Sequence, residues 1–163
     1  MFKVSFKENP KSPSKLVTKF GNETTVLLRG VCALPEFFKY IPEEISEWIA
    51  LQTHVEVYED VANNQLIIYS KGISKCHPDD KYDTVIGERI AEARAKEFIY
   101  QFFYGMCSRL YNYYDRIMFG FPGVVAVGRG NSLSQCVTKY EKLLDHERHH
   151  QVELLQNNNH GGE

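Results

Sequence analysis

Between Cys76 and Asp83 the spacing of apolar residues changes from every second position to every third or fourth, and this switch constrains the fold more than any other feature. Upstream, Phe2 to Phe6 and Leu16 to Phe20 alternate apolar with polar residues around the turn-forming run Asn9-Pro10-Lys11-Ser12-Pro13. Thr24 to Cys32 is β-branched and apolar enough for a third strand, and Val55 to Val61 and Leu66 to Ser74 supply two more around a hairpin turn at Asn63-Asn64. Between them, Pro42-Glu43-Glu44 opens a short helix with Ile45, Trp48 and Ile49 on one face. Downstream, Ile99, Phe102, Met106, Leu110, Tyr113 and Ile117 mark one face of a helix of about nine turns, ended by Gly120, Pro122 and Gly123. Val124 to Val127 then reads as a short strand, Gly128-Arg129-Gly130-Asn131 as a turn, and Ser132 or Ser134 as the cap of a last helix carrying Leu133, Val137, Tyr140 and Leu144. The expected architecture is α+β: an antiparallel sheet of about five strands followed by two long C-terminal helices. Residues 1–156 are expected to form one domain and 157–163 (NNNHGGE) a disordered tail.

At 163 residues the chain is long enough for one sizeable core, and 43% hydrophobic content with ten Tyr and ten Phe argues against wholesale disorder. The formal charge of −2 removes the simplest argument for nucleic-acid binding, a strongly basic surface. No apolar run reaches the length of a membrane span and the first residues lack a secretory signal pattern, so no membrane association and a cytoplasmic location are expected. Cys32, Cys76, Cys107 and Cys136 include no C-x-x-C pair, which speaks against a zinc knuckle and for reduced thiols in a core.

The junction Cys76-His77-Pro78-Asp79-Asp80-Lys81-Tyr82-Asp83 has a structural task. Pro78 stops a strand, and Asp80 or Asp83 caps the helix that follows.

Three constellations carry candidate chemistry. His146-Glu147-Arg148-His149-His150 matches H-E-x-x-H, which on a helix places His146 and His150 one turn apart as metal ligands with Glu147 as base. His160 and Glu163, both in the tail, are the candidates considered for a third ligand, so a polar helix end is the simpler reading, and no cofactor is expected. The Gly128–Ser132 turn offers backbone N–H groups and Arg129 as an anion cradle, without the Lys-Ser/Thr pair of a P-loop. Finally, Phe98 to Phe121 holds more aromatics than one helix face buries, interleaved with Arg94, Arg109 and Arg116. No nucleophile–base triad is traceable, so no catalytic residue is assigned.

The residues Gly72, Cys76, His77, Pro78, Asp80, Tyr82, Asp83, Gly87, Ala91, Arg94 and Ala95 form a pattern that resembles a hairpin-and-helix module of small phage and prophage proteins. It also looks like the strand–strand–helix end of double-stranded-RNA-binding-domain-like families. The resemblance implies a phage origin, a place in the host cytoplasm and an outline similar to anti-defence proteins, including sponges that sequester cyclic-nucleotide-like signals. It carries over no ligand residue.

The favoured function is therefore a non-enzymatic binding protein, an inhibitor that sequesters a nucleotide-like molecule or blocks a host protein. Its site is expected on Arg94, Arg109, Arg129, Gly130 and Ser132, completed across a homo-oligomer by Arg29. The alternatives are a zinc-dependent hydrolase using His146 and His150, and a nucleic-acid-binding accessory protein.

Overall fold

The alternating N-terminal half folds into one antiparallel sheet. In the computed structural model of the chain, residues 2–6, 14–34, 41–76, 83–118 and 124–159 are described, with side chains at 118, 124–131 and 157–159 outside that description. The strands are β1 (Val4–Ser5), β2 (Lys15–Phe20), β3 (Glu23–Ala33), β4 (Val55–Asp60) and β5 (Gln65–Lys75). Their order is β1-β3-β5-β4, and β2 lies beside the first half of β3 on the same side as β1. Helix α1 (Glu43–Ala50) precedes β4, and α2 (Thr84–Met118) and α3 (Val124–Asn159) follow the sheet. The expected α+β architecture is the observed one.

Local chemistry sets the connections. Gly21 turns β2 into β3 with φ at 58°, a left-handed value open to glycine without steric cost. Between β4 and β5 a 3-10 turn, Val61–Asn63, is held by Asp60, whose carboxylate accepts from the Asn63 amide at 3.2 Å and from Gln65 at 2.9 Å. Asn64 completes it at φ 50°. These bonds hold the Asp60 carboxyl below the usual carboxylate range, the Asn63 side chain contributing most. Asp83 caps α2, accepting from Val85 N–H at 2.8 Å and Ile86 N–H at 3.1 Å. Asp80, the other expected cap, lies outside the described residues.

The core sits between the sheet and the helix pair. Val26, Leu28 and Cys32 of β3 and Leu66 and Ile68 of β5 point to one face, all buried. Helix α2 covers that face through Ala91, Ala95, Ile99, Phe103 and Met106, and α3 packs on α2 through Leu133, Cys136, Tyr140 and Leu144. Phe103 stacks on Tyr140 at 5.1 Å, and Arg148 of α3 binds Glu97 of α2 at 2.9 Å, so the two helices run antiparallel.

One expectation is overturned. Val124 to Val127 is not a strand, Gly128 to Asn131 is not a turn, and neither Ser132 nor Ser134 caps a helix, because α3 runs unbroken from Val124. Two interior glycines cost a helix about 2 kcal/mol. An established helix offsets this by closing one backbone hydrogen bond for each residue added. At the other end α3 continues through Asn159, and residues 160–163 lie outside the described part.

Candidate functional site

The sheet has a second face, opposite the helices. Antiparallel register sets its side chains in rows across the strands: Thr18–Thr25–Ile73, then Leu16–Leu27–Lys71, then Arg29–Tyr69–Glu56, then Val31–Ile67–Tyr58. No described element covers these rows, and Leu16 is 54% exposed, Tyr58 53% and Phe20 86%. Buried Val26 and Ile68, one position away on the same strands, show what alternation does to neighbours. On β3 and β5 the open face carries Leu27, Val31, Ile67, Tyr69 and Ile73, nearly as apolar a set as the covered face. Strands apolar at both parities are characteristic of sheets covered on both sides. Contiguous exposed apolar surface is a candidate for an interaction surface.

Arg29 stands in the middle of this face, flanked along β3 by Leu27 and Val31 and across the ladder by Tyr69. Its backbone N–H donates to the Ser14 carbonyl at 2.8 Å, so the residue is fixed in the sheet. Its Nε is shielded from water and finds no acceptor among the described residues. A shielded guanidinium donor without a partner costs about 1–3 kcal/mol, more than an ordinary hydrogen bond returns. Beside it, Tyr69 meets Tyr58 edge to face at 5.8 Å, and the Tyr58 hydroxyl donates to Glu56 at 3.1 Å. That bond raises the Tyr58 hydroxyl above the ordinary phenol range and leaves one edge of the patch polar.

The remaining residues singled out in the sequence are scattered. Arg94 donates to the Ile73 carbonyl, tying α2 to β5. Arg109 lies over the Trp48 ring at 4.5 Å, and Trp48 itself stacks on Phe102 at 5.6 Å. The two arginines, fifteen residues apart, are separated by about 22 Å along the helix. Gly130 and Ser132 are inside α3, where backbone N–H groups are turned to helix bonds rather than to a ligand, and the side chain of Arg129 lies outside the described residues. Arg29 faces away from all of them, on the far side of the sheet. The aromatic surplus of α2 is largely consumed by packing: Phe98 stacks on His54 at 4.6 Å, Phe102 on Trp48 and Phe103 on Tyr140. Tyr104 and Tyr111 keep partial exposure.

In the H-E-x-x-H segment, His146 is exposed and Glu147 is buried. Glu147 and His150 line a cavity of about 140 Å³ between α2 and α3 with Arg89, Glu92, Ala93 and Lys96. Arg89 and Lys96 of α2 therefore share this cavity with Glu147 and His150, while His146 is not among its lining residues. Among the described residues no three His, Cys, Asp or Glu side chains converge as ligands, and His160 and Glu163 lie outside them.

Of the open face, only Arg29 was singled out from the sequence. Of the missed residues, Leu27, Tyr69 and Ile73 left a signal in TTVLLRGVC and LIIYSKGIS, where apolar side chains occupy both parities, whereas Leu16, Phe20 and Tyr58 lie outside those segments. No described helix is long and apolar enough to cross a membrane. Compared with known protein families, curated proteins and solved structures, the chain matches none of them.

Proposed function

We propose that this is a non-catalytic binding protein that occupies a partner protein through the open face of its sheet, the blocking mode of action that the phage-type resemblance implies. The observation that carries this reading is a shielded Arg29 Nε, without an acceptor among the described residues, at the centre of an apolar sheet face. The partner it fits presents apolar side chains around a carboxylate. The carboxylate satisfies the guanidinium in a charge-assisted bond, and the surrounding Leu, Ile and Tyr side chains exclude water from it. A nucleic acid fits less well, because Glu23, Glu56 and Asp60 interrupt Lys71 and Lys75 on the same face and no cationic track runs across it.

A displayed random-peptide library, panned on the purified protein, tests this. The parent protein enriches apolar sequences containing Asp or Glu. Arg29→Met keeps the apolar preference and loses the acidic one, and Leu27→Lys loses both. Enrichment that is identical for the parent and both variants overturns the proposal. So does a stable dimer that buries this face against a second copy.

A further inference from the structure

Strands β2 and β4, on opposite sides of the sheet, each pair with a neighbour on one side only. Backbone bonds just beyond the ladders fix which way their other groups point. The Arg29 N–H donates to the Ser14 carbonyl at 2.8 Å, so even positions of β2 bond to β3, and Lys15, Val17 and Lys19 turn N–H and C=O outward. The Cys76 N–H donates to the Asn22 carbonyl at 3.0 Å, so even positions of β5 bond to β3 and odd ones to β4, and Val55, Val57 and Glu59 turn their groups outward. Among the described residues these outward groups meet no further strand.

An unpaired edge is a template for another strand, and proteins commonly guard it with lysine. The lysines of β2 are instead tied to α2, Lys15 Nζ lying 2.9 Å from Glu88 and 3.0 Å from Glu92, and Lys19 Nζ 3.3 Å from Glu88. The two edges differ in charge. Strand β2 (KLVTKF) carries Lys15 and Lys19 and no acid, whereas β4 (VEVYED) carries Glu56, Glu59 and Asp60 and no base. Joining like edges sets lysine against lysine or acid against acid, while joining unlike edges brings opposite charges together. We propose that copies of this chain join head to tail, the outer edge of β2 pairing antiparallel with the outer edge of β4 in the next copy.

The topology permits this without turning a copy over. Strands β2 and β5 run against β3 while β4 runs with it, so β4 of a copy in the same orientation meets β2 antiparallel. Setting Val17 opposite Val57 of the next copy aligns the outward groups of both edges, and side-chain alternation fixes the other pairs. Lys15 then stands opposite the next copy's Glu59 on the helix side. There Lys15, Lys19 and Lys96 share the carboxylates of Glu88 and Glu92, and Glu59 supplies a third. On the open side Leu16 meets the next copy's Tyr58, two exposed apolar side chains that cover each other. The open face therefore continues from copy to copy with Arg29 recurring along it, whichever partner that face takes. One β2 and one β4 stay free at the ends of every assembly, so the series remains open. The joint is short, which makes assembly dependent on concentration.

Sedimentation velocity of the full chain, from micromolar to millimolar concentration, tests this. The expected result is a weight-average mass that climbs with concentration past that of a dimer and falls when salt is raised. Val17→Pro and Val57→Pro each remove one outward N–H, at edge positions where proline breaks no ladder bond within the chain. Either variant alone stays monomeric. Mixed in equal amounts they form a dimer and nothing larger, through β2 of the Val57→Pro chain and β4 of the Val17→Pro chain. Glu59→Lys changes an exposed side chain and associates several-fold more weakly than the parent, so the test stands even where a proline unfolds its chain. A parent chain that is still monomeric at millimolar concentration overturns the joint. So does a Val57→Pro chain that dimerises by itself, the sign of like edges pairing or of contact through the open face, and so does a Glu59→Lys chain that associates as the parent does.

Discussion

Gly72 of β5 lies directly under the Ala91 carbonyl of α2, and a Cβ at position 72 would also stand 2.7 Å from the Ala95 backbone nitrogen. Helix and sheet therefore touch backbone to backbone at this point, and three small residues make the approach possible. Gly72, Ala91 and Ala95 all belong to the junction pattern read between Gly72 and Ala95 in the sequence. Their spacing is thus accounted for by packing, without reference to activity.

Gly72→Ala is expected to lower stability by about 1–3 kcal/mol, because backbone atoms of α2 cannot rotate away as a side chain would. Gly72→Val should cost more. Urea denaturation monitored by circular dichroism measures both, and an unchanged midpoint for Ala would show that α2 can shift on the sheet at no cost.

Lys15 of β2 bridges to α2, with Nζ at 2.9 Å from Glu88 and 3.0 Å from Glu92, and Lys19 and Lys96 extend the cluster at 3.3 Å and 2.7 Å. The Lys15 bond holds Glu88 below its ordinary 4.5. Burial acts to raise Glu92, but bonds from Lys96 and Lys15 outweigh it and hold that carboxyl low as well. Bonds from Glu88 and then Glu92 raise Lys15 above its ordinary 10.5. For the depressed carboxyls, stability is present above 4.5 and is lost as pH falls through their folded values; for Lys15 it is present below 10.5 and is lost as pH rises through its folded value. The network therefore contributes across the neutral range and fades at both ends. Lys15→Met should flatten both flanks of the melting temperature against pH, with a loss near pH 7 of about 0.5–1 kcal/mol for so exposed a pair. A pH profile parallel to that of the parent protein would refute this.

Trp48 is the sole tryptophan of the chain and lies flat on α2, between the Phe102 ring and the Arg109 guanidinium, with Gly105 beneath its edge. Arg109→Ala should shift the tryptophan emission while costing only about 0.5–1 kcal/mol, the size of an exposed cation–π contact. The same variant should leave peptide capture by the open sheet face intact, since Arg109 is on the opposite side of the sheet. Lost capture with an unshifted spectrum would reverse these assignments.

Much of the fold was legible because it rests on local chemistry. Alternation in Lys15–Phe20 and Gln65–Lys75, the Asp83 cap and the 3.6-residue face from Ile99 to Ile117 each depend on neighbours within one element. The Gly128–Ser132 reading failed for the opposite reason. A glycine's preference for turns is a small local term, and helix continuation across α3 outweighs it.

By itself the sequence determined the sheet strands, α1, α2 and the single switch from sheet to helix, though not the start of α3, because backbone sterics and side-chain periodicity act over a few residues. Tertiary structure alone decided which residues share a surface. It turned Arg29 away from Arg94 and Arg109, spent the α2 aromatics on α1, α3 and His54, left the Leu27 and Tyr69 side of the sheet open, and gathered Cys32, Cys107 and Cys136 from three elements. The physical reason is that alternation fixes that β3 and β5 have two faces, while which face is covered depends on where α2 finds room for its backbone, at Gly72.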